Sequence, residues 1–357
     1  MSSIITFNSK LKSFASTTTN INGSIYAVSI PTLEGGPNGA VGAVLIYTVI
    51  KDDTIYTNGK WNINPYYIWN PRNTKNSFGA AIKLSGDGNT IVISDPYVNI
   101  LYVYRNVINV IDNLNSWGIP YELTPPLSIS NIQNFGTSVA MSFDGNIIST
   151  IAISSYNSVN LSIQFIPVVY NYNNGWSVSL PYQASVVPYT QLQIDMSLKG
   201  ETIVIFSSTS IYTYKQNITI NVYNTNSPIL SVSLAGDSIH LAYSDNSNIY
   251  LLLLIIQPLP TPSIWIIINT IACINASKIN LNNNNTLLSV YQEDTYSNIN
   301  LLYYTYNALG NGTWVPQNIN TYSTSSLIIP ISYSLIMTGD GLTVFYIDTS
   351  QKLYIYN

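Results

Sequence analysis

Alternating apolar and polar residues recur along the chain in paired segments that are separated by short polar turns. Phe78 to Ser94 reads FGAAIKLSGDGNTIVIS, and Phe135 to Ser154 reads FGTSVAMSFDGNIISTIAIS. Each segment has an alternating apolar run, then Asp-Gly-Asn, then a second apolar run that ends in Ser. Alternation with a period of two predicts β-strands. Asp-Gly between two such runs predicts a hairpin, because glycine adopts a positive φ without strain.

The same pattern recurs five more times with weaker matches. The copies are LQIDMSLKGETIVIFS from Leu192, ILSVSLAGDSIHLAYS from Ile229, YSLIMTGDGLTVFYID from Tyr333, SKINLNNNNTLLSVY from Ser277 and the segment from Ser13 to Ile30. The seven predicted turns lie near Gly23, Gly88, Gly145, Gly200, Gly236, Asn284 and Gly341. Their spacing runs from 36 residues (Gly200 to Gly236) to 65 (Gly23 to Gly88). A period of about 50 residues is typical of four-stranded β-propeller blades.

Two more strands complete the predicted blades, except in the seventh unit, which has only a third strand of its own. A Tyr-rich third strand follows the hairpin, as VLIYTVI from Val44, ILYVYRN from Ile100, SIYTYKQN from Ser210, NLLYYTYN from Asn300 and KLYIYN at the C-terminus. A Trp then opens a fourth strand, at Trp61, Trp117, Trp176, Trp265 and Trp314, whereas the fourth unit uses ITINVYN from Ile218. We expect these Trp side chains to fill the space between blades.

The seventh unit ends at its third strand, and residues Ile4 to Phe7 precede the first unit without a partner. We therefore predict that the N-terminal strand completes the last blade and closes the ring. The sequence thus predicts an all-β fold, a single seven-bladed β-propeller domain that spans residues 1–357.

The units resemble the FG-GAP-like propeller repeats of integrin type. The resemblance rests on Phe78-Gly79, Asp87-Gly88-Asn89, Ser94-Asp95-Pro96 and Leu101-Tyr102-Val103-Tyr104, and again on Phe135-Gly136 and Asp144-Gly145-Asn146 with Trp176. Gly42 to Tyr47 and Trp61 fit the third and fourth strands of the repeat. The resemblance is good over residues 40–180, and it implies an architecture more than an activity.

Members of the wider family that bind calcium carry several Asp or Asn side chains at alternate positions of one loop. Calcium needs six to eight oxygen ligands, several of them from carboxylates. Neither Asp87 nor Asp144 has a second acid nearby in the sequence. We expect both to be turn residues, with no metal and no cofactor.

Composition and charge narrow the classes of partner. Only 8% of residues are charged, the net charge is −4, and the chain has two arginines, Arg72 and Arg105. Nucleic-acid binding needs a dense basic face, so no nucleic-acid partner is expected. The longest apolar run, Ile249 to Ile256, is too short for a membrane-spanning helix, and the N-terminus predicts no signal peptide.

Few residues could carry catalysis. His240 is the single histidine and lies in a strand, where we expect it to be packed or hydrogen-bonded. Cys273 is the single cysteine, and we expect a small buried side chain there. The 16 acidic residues are scattered, so no catalytic residue is assigned and the chain is predicted not to be an enzyme.

Two hypotheses of function remain. The first is a structural or protein-interaction module, for example a component of a virion or another particle surface, for which a neutral surface rich in Asn, Ser, Thr and Tyr is suited. The alternative is a carbohydrate-binding, lectin-like propeller. Both would bind through loops at one propeller face, and the residues predicted to be exposed there are Asp95, Tyr97, Asp245 and Asn246. The loops that contain them differ between units, which favours the first hypothesis because a repeated lectin pocket would repeat its residues.

Overall fold

The computed structural model is built from antiparallel β-sheets. It describes residues 3–6, 16–50, 60–61, 65–72, 77–109, 114–129, 131–132, 134–157, 162–179, 185–188, 192–215, 218–257, 261–293, 299–307, 313–316, 320–322, 335–341, 344–347 and 352–356. Within these residues the helical structure is one 3-10 turn, Pro37–Gly39. No helix in this part of the chain is long and apolar enough to cross a membrane.

The described strands pair into seven sheets of four or five strands and one two-stranded hairpin. The first sheet contains β2 (Ser16–Thr19), β3 (Ile25–Ile30), β4 (Ala43–Ile50), β5 (Lys60–Trp61) and β6 (Tyr66–Trp69). The second contains β7 (Ile82–Leu84), β8 (Thr90–Asp95), β9 (Ile100–Arg105) and β12 (Tyr121–Leu123), and the hairpin of β10 (Val107–Asn109) and β11 (Leu114–Ser116) precedes β12. The third contains β13 (Val139–Met141), β14 (Ile147–Asn157), β15 (Ser162–Tyr172), β16 (Trp176–Val178) and β17 (Ser185–Pro188).

The remaining four sheets follow the same order along the chain. The fourth contains β18 (Gln193–Met196), β19 (Thr202–Phe206), β20 (Ser210–Lys215) and β21 (Ile218–Asn224). The fifth contains β22 (Ser231–Leu234), β23 (His240–Ser244), β24 (Asn248–Ile255) and β25 (Ile264–Ala272). The sixth contains β26 (Ala276–Leu281), β27 (Leu287–Glu293), β28 (Ile299–Asn307), β29 (Thr313–Pro316) and β30 (Asn320–Tyr322). The seventh contains β31 (Leu335–Met337), β32 (Val344–Ile347), β33 (Lys352–Tyr356) and β1 (Ser3–Thr6).

The first strand of the chain lies in the last sheet, as the sequence predicts. β1 pairs with β33 in antiparallel register, with Ser3 opposite Ile355 and Thr6 opposite Lys352. The predicted Tyr-rich third strands are also present, as β4, β9, β20, β28 and β33.

Neighbouring sheets touch through their first strands, here called the inner strands (β2, β7, β13, β18, β22, β26 and β31). Each inner strand contacts the inner strand of the next sheet, and β31 contacts β2. Among the described residues, apolar clusters lie between consecutive sheets from the first to the sixth, and another joins Phe345 of the seventh sheet to Tyr26 of the first. Their rings stack with centroids 4.8 Å apart. The core therefore lies between the sheets.

The predicted turns join the first and second strands of each sheet. Gly23, Gly88, Gly145, Gly200 and Gly341 have positive φ, as the hairpin interpretation requires. The predicted turns near Gly236 and Asn284 are also present, with the positive φ at a nearby residue. The residue with positive φ is Ser238 in place of Gly236, and Asn285 in place of Asn284.

Hydrogen bonds between the inner-strand turns link one sheet to the next. Ile21 N donates to Gly86 O (2.9 Å), and Asp87 N donates to Phe143 O (3.1 Å). Phe143 N donates to Leu198 O (2.7 Å). Asp340 N donates to Ile21 O (3.3 Å), so the last turn is bonded to the first.

The Phe-Gly motif joins neighbouring sheets at the opposite end. Phe78 is fully buried and packs edge-on against Tyr102 of its own sheet. Gly79 has φ +86°, and a Cβ there would lie 2.9 Å from the Cβ of Ser29 in the preceding sheet. Gly136 meets Ser94 in the same way. The motif thus needs glycine for close packing, and the strand-ending Ser is its partner.

The predicted tryptophans pack as expected where the structure describes their side chains, but one strand start was wrong. Trp176, Trp265 and Trp314 open or lie near the start of outer strands. Trp117 does not open the fourth strand, because the β10–β11 hairpin comes first and β12 begins at Tyr121. Trp117 is nevertheless buried between the first and second sheets. The side chain of Trp61 lies outside the described part.

Candidate functional site

The structure separates the four residues that were predicted to form an exposed face. Tyr97 is 76% exposed and Asn246 is exposed. Asp95 and Asp245 are buried, at 0% and 3% exposure, so the prediction that they are exposed was wrong. Asp95 is the last residue of β8 and Asp245 directly follows β23, and their carboxylates turn inward to bind the loop that leads into their own sheet. Tyr97 and Asn246 lie in different sheets and form no common site.

Asp95 and Asp245 hold equivalent loops with different numbers of hydrogen bonds. Ser77 Oγ donates to Asp95 Oδ1 (3.1 Å), whereas Asp95 Oδ2 is buried without a partner. Burial raises the pKa of Asp95, although its hydrogen bonds oppose the shift.

Asp245 accepts four hydrogen bonds. Its donors are Ser227 Oγ, Tyr250 OH (3.2 Å), Ser247 N (2.8 Å) and Asn248 N (2.8 Å). Burial alone would raise the pKa of Asp245, but these hydrogen bonds outweigh it and the pKa is lowered. Asp245 is therefore a structural carboxylate of its loop.

A cavity of about 620 Å³ opens at the loop end, the end of the sheets where second strands connect to third strands. It lies between the first and second sheets and beside the start of the third. Its lining residues are Pro31, Thr32, Glu34, Val41, Ser77, Pro96, Tyr97 and Asn134. We call this cavity the loop-end pocket.

The Tyr97 loop is held from several sides. Tyr97 N donates to Ser77 Oγ (3.0 Å), whose hydroxyl is bonded to Asp95. Asn99 N donates to Pro96 O (3.3 Å), and Asn99 Oδ1 accepts from Phe135 N (3.0 Å). An exposed aromatic ring is therefore carried on a backbone that is fixed before any ligand binds.

The acids of the Asp-Gly-Asn turns stabilise their own turns, as predicted. Asp87 Oδ1 accepts from Ser85 Oγ (2.6 Å) and Asn89 N (3.0 Å). Asp144 makes the matching bonds to Ser142 and Asn146. Hydrogen bonds lower the pKa of Asp144 although burial opposes the shift. Among the described residues, no group of three or more His, Cys, Asp or Glu side chains could hold a metal ion.

His240 is hydrogen-bonded and Cys273 is buried, as the sequence predicts. His240 Nδ1 lies 2.5 Å from Asp237 Oδ2, and Asp237 Oδ1 also accepts from the amides of Ile239 and His240. This pair stabilises the turn of the fifth sheet, and its hydrogen bonds lower the pKa of Asp237 although burial opposes the shift. Cys273 is buried, and burial raises the pKa of its thiol.

The inner strands surround a polar channel that the sequence reasoning missed. Two adjoining cavities of about 160 and 270 Å³ share five lining residues, Lys83, Asp195, Ser233, Asn280 and Ile336. Each of these residues lies two positions before the first residue of its own turn. That shared register is the signal in the sequence that could have identified them.

Side chains of one inner strand bind the backbone of the next around this channel. Thr18 Oγ1 accepts from Leu84 N (3.0 Å), and Asp195 Oδ2 accepts from Leu234 N (2.9 Å). Ser233 Oγ accepts from Leu281 N (2.9 Å). These bonds satisfy amides on the open edges of β7, β22 and β26, which a neighbouring strand would otherwise have to pair.

Comparisons with known proteins agree on architecture alone. No family model and no curated protein matches the chain. A chain from a crystal structure of a mitotic checkpoint complex has a TM-score of 0.58 at 10% identity, with 99% of this chain and 93% of that chain covered. A functionally unknown protein from Desulfotomaculum acetoxidans DSM 771 has a TM-score of 0.55 at 12% identity, covering 88% and 89%. In total 710 solved chains match, so the likeness selects no single function. The chain has a β-propeller-like, all-β fold.

Proposed function

We propose that this chain is a non-catalytic protein-interaction module, built as a closed seven-bladed β-propeller that binds its partner at the loop-end pocket. Ring closure is supported by the contacts between inner strands, which run from β2 to β31 and back to β2. The hydrogen bond between Asp340 and Ile21 supports the same arrangement. Each sheet then forms one blade.

The exposed ring of Tyr97, carried on a hydrogen-bonded loop, is the observation that supports a binding surface. Tyr is enriched among residues that dominate binding energy at protein interfaces. A side chain on a backbone that is already ordered loses less conformational entropy on binding. Pro31, Pro96 and Val41 add apolar surface around Tyr97. A protein interface with an apolar centre and a polar rim would fit these residues.

Two further points support an interaction module. One propeller-like neighbour comes from a crystal structure of a protein complex, the mitotic checkpoint complex. The low charged fraction, 8%, suits a surface that is packed against other proteins. We therefore extend the proposal to a structural component of an assembled particle, such as a virion, and to a relationship with the FG-GAP-like repeat family.

Binding of the folded protein to a glycan array, with and without calcium, separates a protein partner from a sugar. The proposal predicts that the protein binds no class of sugar on the array in a way that the free sugar can compete away. Competed binding that is lost in Tyr97→Ala would instead identify a carbohydrate-binding propeller at this pocket. Competed binding that needs calcium would also contradict the assignment of Asp87 and Asp144 as turn residues only.

A further inference from the structure

Two lysines face the channel without a partner in the described part of the chain. Lys83 comes from the second sheet and Lys278 from the sixth, and both line the larger channel cavity. Neither makes a hydrogen bond or ion pair with another described residue. Both are half-buried. Two ammonium groups in a confined space need counter-charge, because desolvation disfavours an unpaired ion.

Asp195 is the one carboxylate among the described residues that line the channel, and it does not supply that counter-charge by direct contact. Asp195 Oδ1 accepts from Met196 N (2.9 Å), and Asp195 Oδ2 accepts from Leu234 N (2.9 Å). Its two oxygens are thus bonded to backbone amides of the fourth and fifth sheets. With two cations and one anion among the described residues that line it, this part of the channel carries a net positive charge.

Unpaired hydrogen-bond donors lie on the same wall as Lys278. The Nδ2 atoms of Asn280 and Asn283 and the Oγ atom of Ser277 are buried and have no hydrogen-bond partner. Ser277 and Asn280 line the larger cavity, and Asn280 and Asn283 line the smaller one. A buried donor without an acceptor costs free energy, so an acceptor in the channel would stabilise this wall.

The electrostatics of Lys278 agree with this arrangement. Burial lowers the pKa of Lys278, the carboxylate of Asp195 opposes that shift, and the ammonium of Lys83 adds to it. The two lysines therefore repel each other across the channel. An anion placed between them would attract both ammonium groups and so offset that repulsion.

We infer that the channel binds a small inorganic oxyanion, of the class of phosphate or sulfate, between Lys83 and Lys278 with Asn280 as a further donor. Such an anion has oxygen acceptors on several sides, which matches donors that come from opposite walls. A cavity of about 270 Å³ can hold one such ion. Charge-assisted hydrogen bonds from ammonium groups are stronger than neutral ones. This site is separate from the loop-end pocket and does not depend on any partner there.

Titration of the full chain with inorganic phosphate by calorimetry at low ionic strength tests the site. We expect one phosphate to bind per chain, and Lys83→Met and Lys278→Met each to weaken binding by about tenfold. Lys215→Met removes a half-buried lysine at the end of β20, outside the channel, and serves as the matched control with unchanged binding. Sulfate should compete with phosphate.

A second variant separates loss of the site from damage to the fold. Asp195→Asn removes the negative charge of the channel while its amide oxygen still accepts a backbone hydrogen bond. We expect phosphate to bind several-fold more tightly to Asp195→Asn, a gain that partial unfolding does not produce. Absence of phosphate binding by the folded wild-type chain would overturn the inference. Equal binding by wild type, Lys83→Met and Lys278→Met would overturn it as well.

Discussion

The backbone amide of Asp340, in the last turn of the chain, donates a hydrogen bond of 3.3 Å to the carbonyl oxygen of Ile21, in the first. These residues are more than 300 positions apart in sequence. Their contact belongs to a series of turn-to-turn bonds in which Phe143 and Leu198 are also linked. The turns of the inner strands therefore serve two purposes, since they reverse the chain and connect neighbouring sheets.

Gly145→Ala should destabilise the fold more than Gly39→Ala. Both glycines have positive φ, +67° and +78°. At Gly39 a Cβ would meet no atom within 4 Å, so the substitution costs only backbone strain, about 1 kcal/mol. At Gly145 a Cβ would lie 2.5 Å from Thr90 in the second sheet, which adds an overpacking cost of about 1–3 kcal/mol. Urea unfolding measures both, and equal losses would contradict the close packing of this turn.

Asp245→Asn should cost more stability than Asp95→Asn at pH 7. The Asp245 carboxylate accepts four hydrogen bonds, and an Asn offers only one acceptor oxygen. We expect a loss of about 1–3 kcal/mol in the free energy of unfolding. Asp95 already has one unpaired oxygen, so Asp95→Asn should cost less.

The pH dependence of the Asp245 variant follows from its pKa. The folded-state pKa of Asp245 is lowered, so its contribution is present above the unfolded pKa of about 4 and is lost as pH falls through the folded value. The difference in the free energy of unfolding between wild type and Asp245→Asn should therefore become smaller as the pH falls. A difference that stays constant from pH 7 to pH 3 would contradict this assignment.

Buried tyrosines should limit stability in alkali. Burial raises the pKa of Tyr26 above its ordinary value, and it raises the pKa of Tyr102 to about 12. The unfolded chain loses these protons near pH 10 while the folded chain keeps them, so stability falls as pH rises above about 10. Tyr26→Phe should make this fall in the free energy of unfolding with pH less steep. Unfolding by urea at pH 9 to 11.5 gives both slopes, and parallel slopes for wild type and Tyr26→Phe would refute the prediction.

Local patterns predicted most of the architecture. Alternation and the Asp-Gly turns predicted the hairpins, because turn type depends on a few adjacent residues. The pairing of β1 with β33 followed from counting strands. The prediction that Trp117 opens the fourth strand was wrong because no local pattern indicates the separate β10–β11 hairpin that forms before that strand. The resemblance to FG-GAP-like repeats and the single-domain span remain predictions.

The sites were predicted less well than the fold. Asp95 and Asp245 lie at the ends of strands and were assigned to exposed loops, but each accepts a hydrogen bond from a Ser 18 positions earlier. Sequence alone does not show that the chain brings that Ser back to the strand end. Lys83, Asp195 and Lys278 were missed for the same reason, since they meet only when inner strands of different sheets surround one channel.

The most direct test of the proposed function is photo-crosslinking from the loop-end pocket. A benzophenone amino acid would replace Tyr97, and matched positions would be Asn246, at the same end in another sheet, and Phe143, at the turn end. The cross-linker is activated in the native cell or particle, and the adducts are identified by mass spectrometry. The account predicts one dominant protein adduct from position 97 that is weak or missing from positions 246 and 143. Equal adducts from all three positions, or a dominant adduct from position 143, would contradict it.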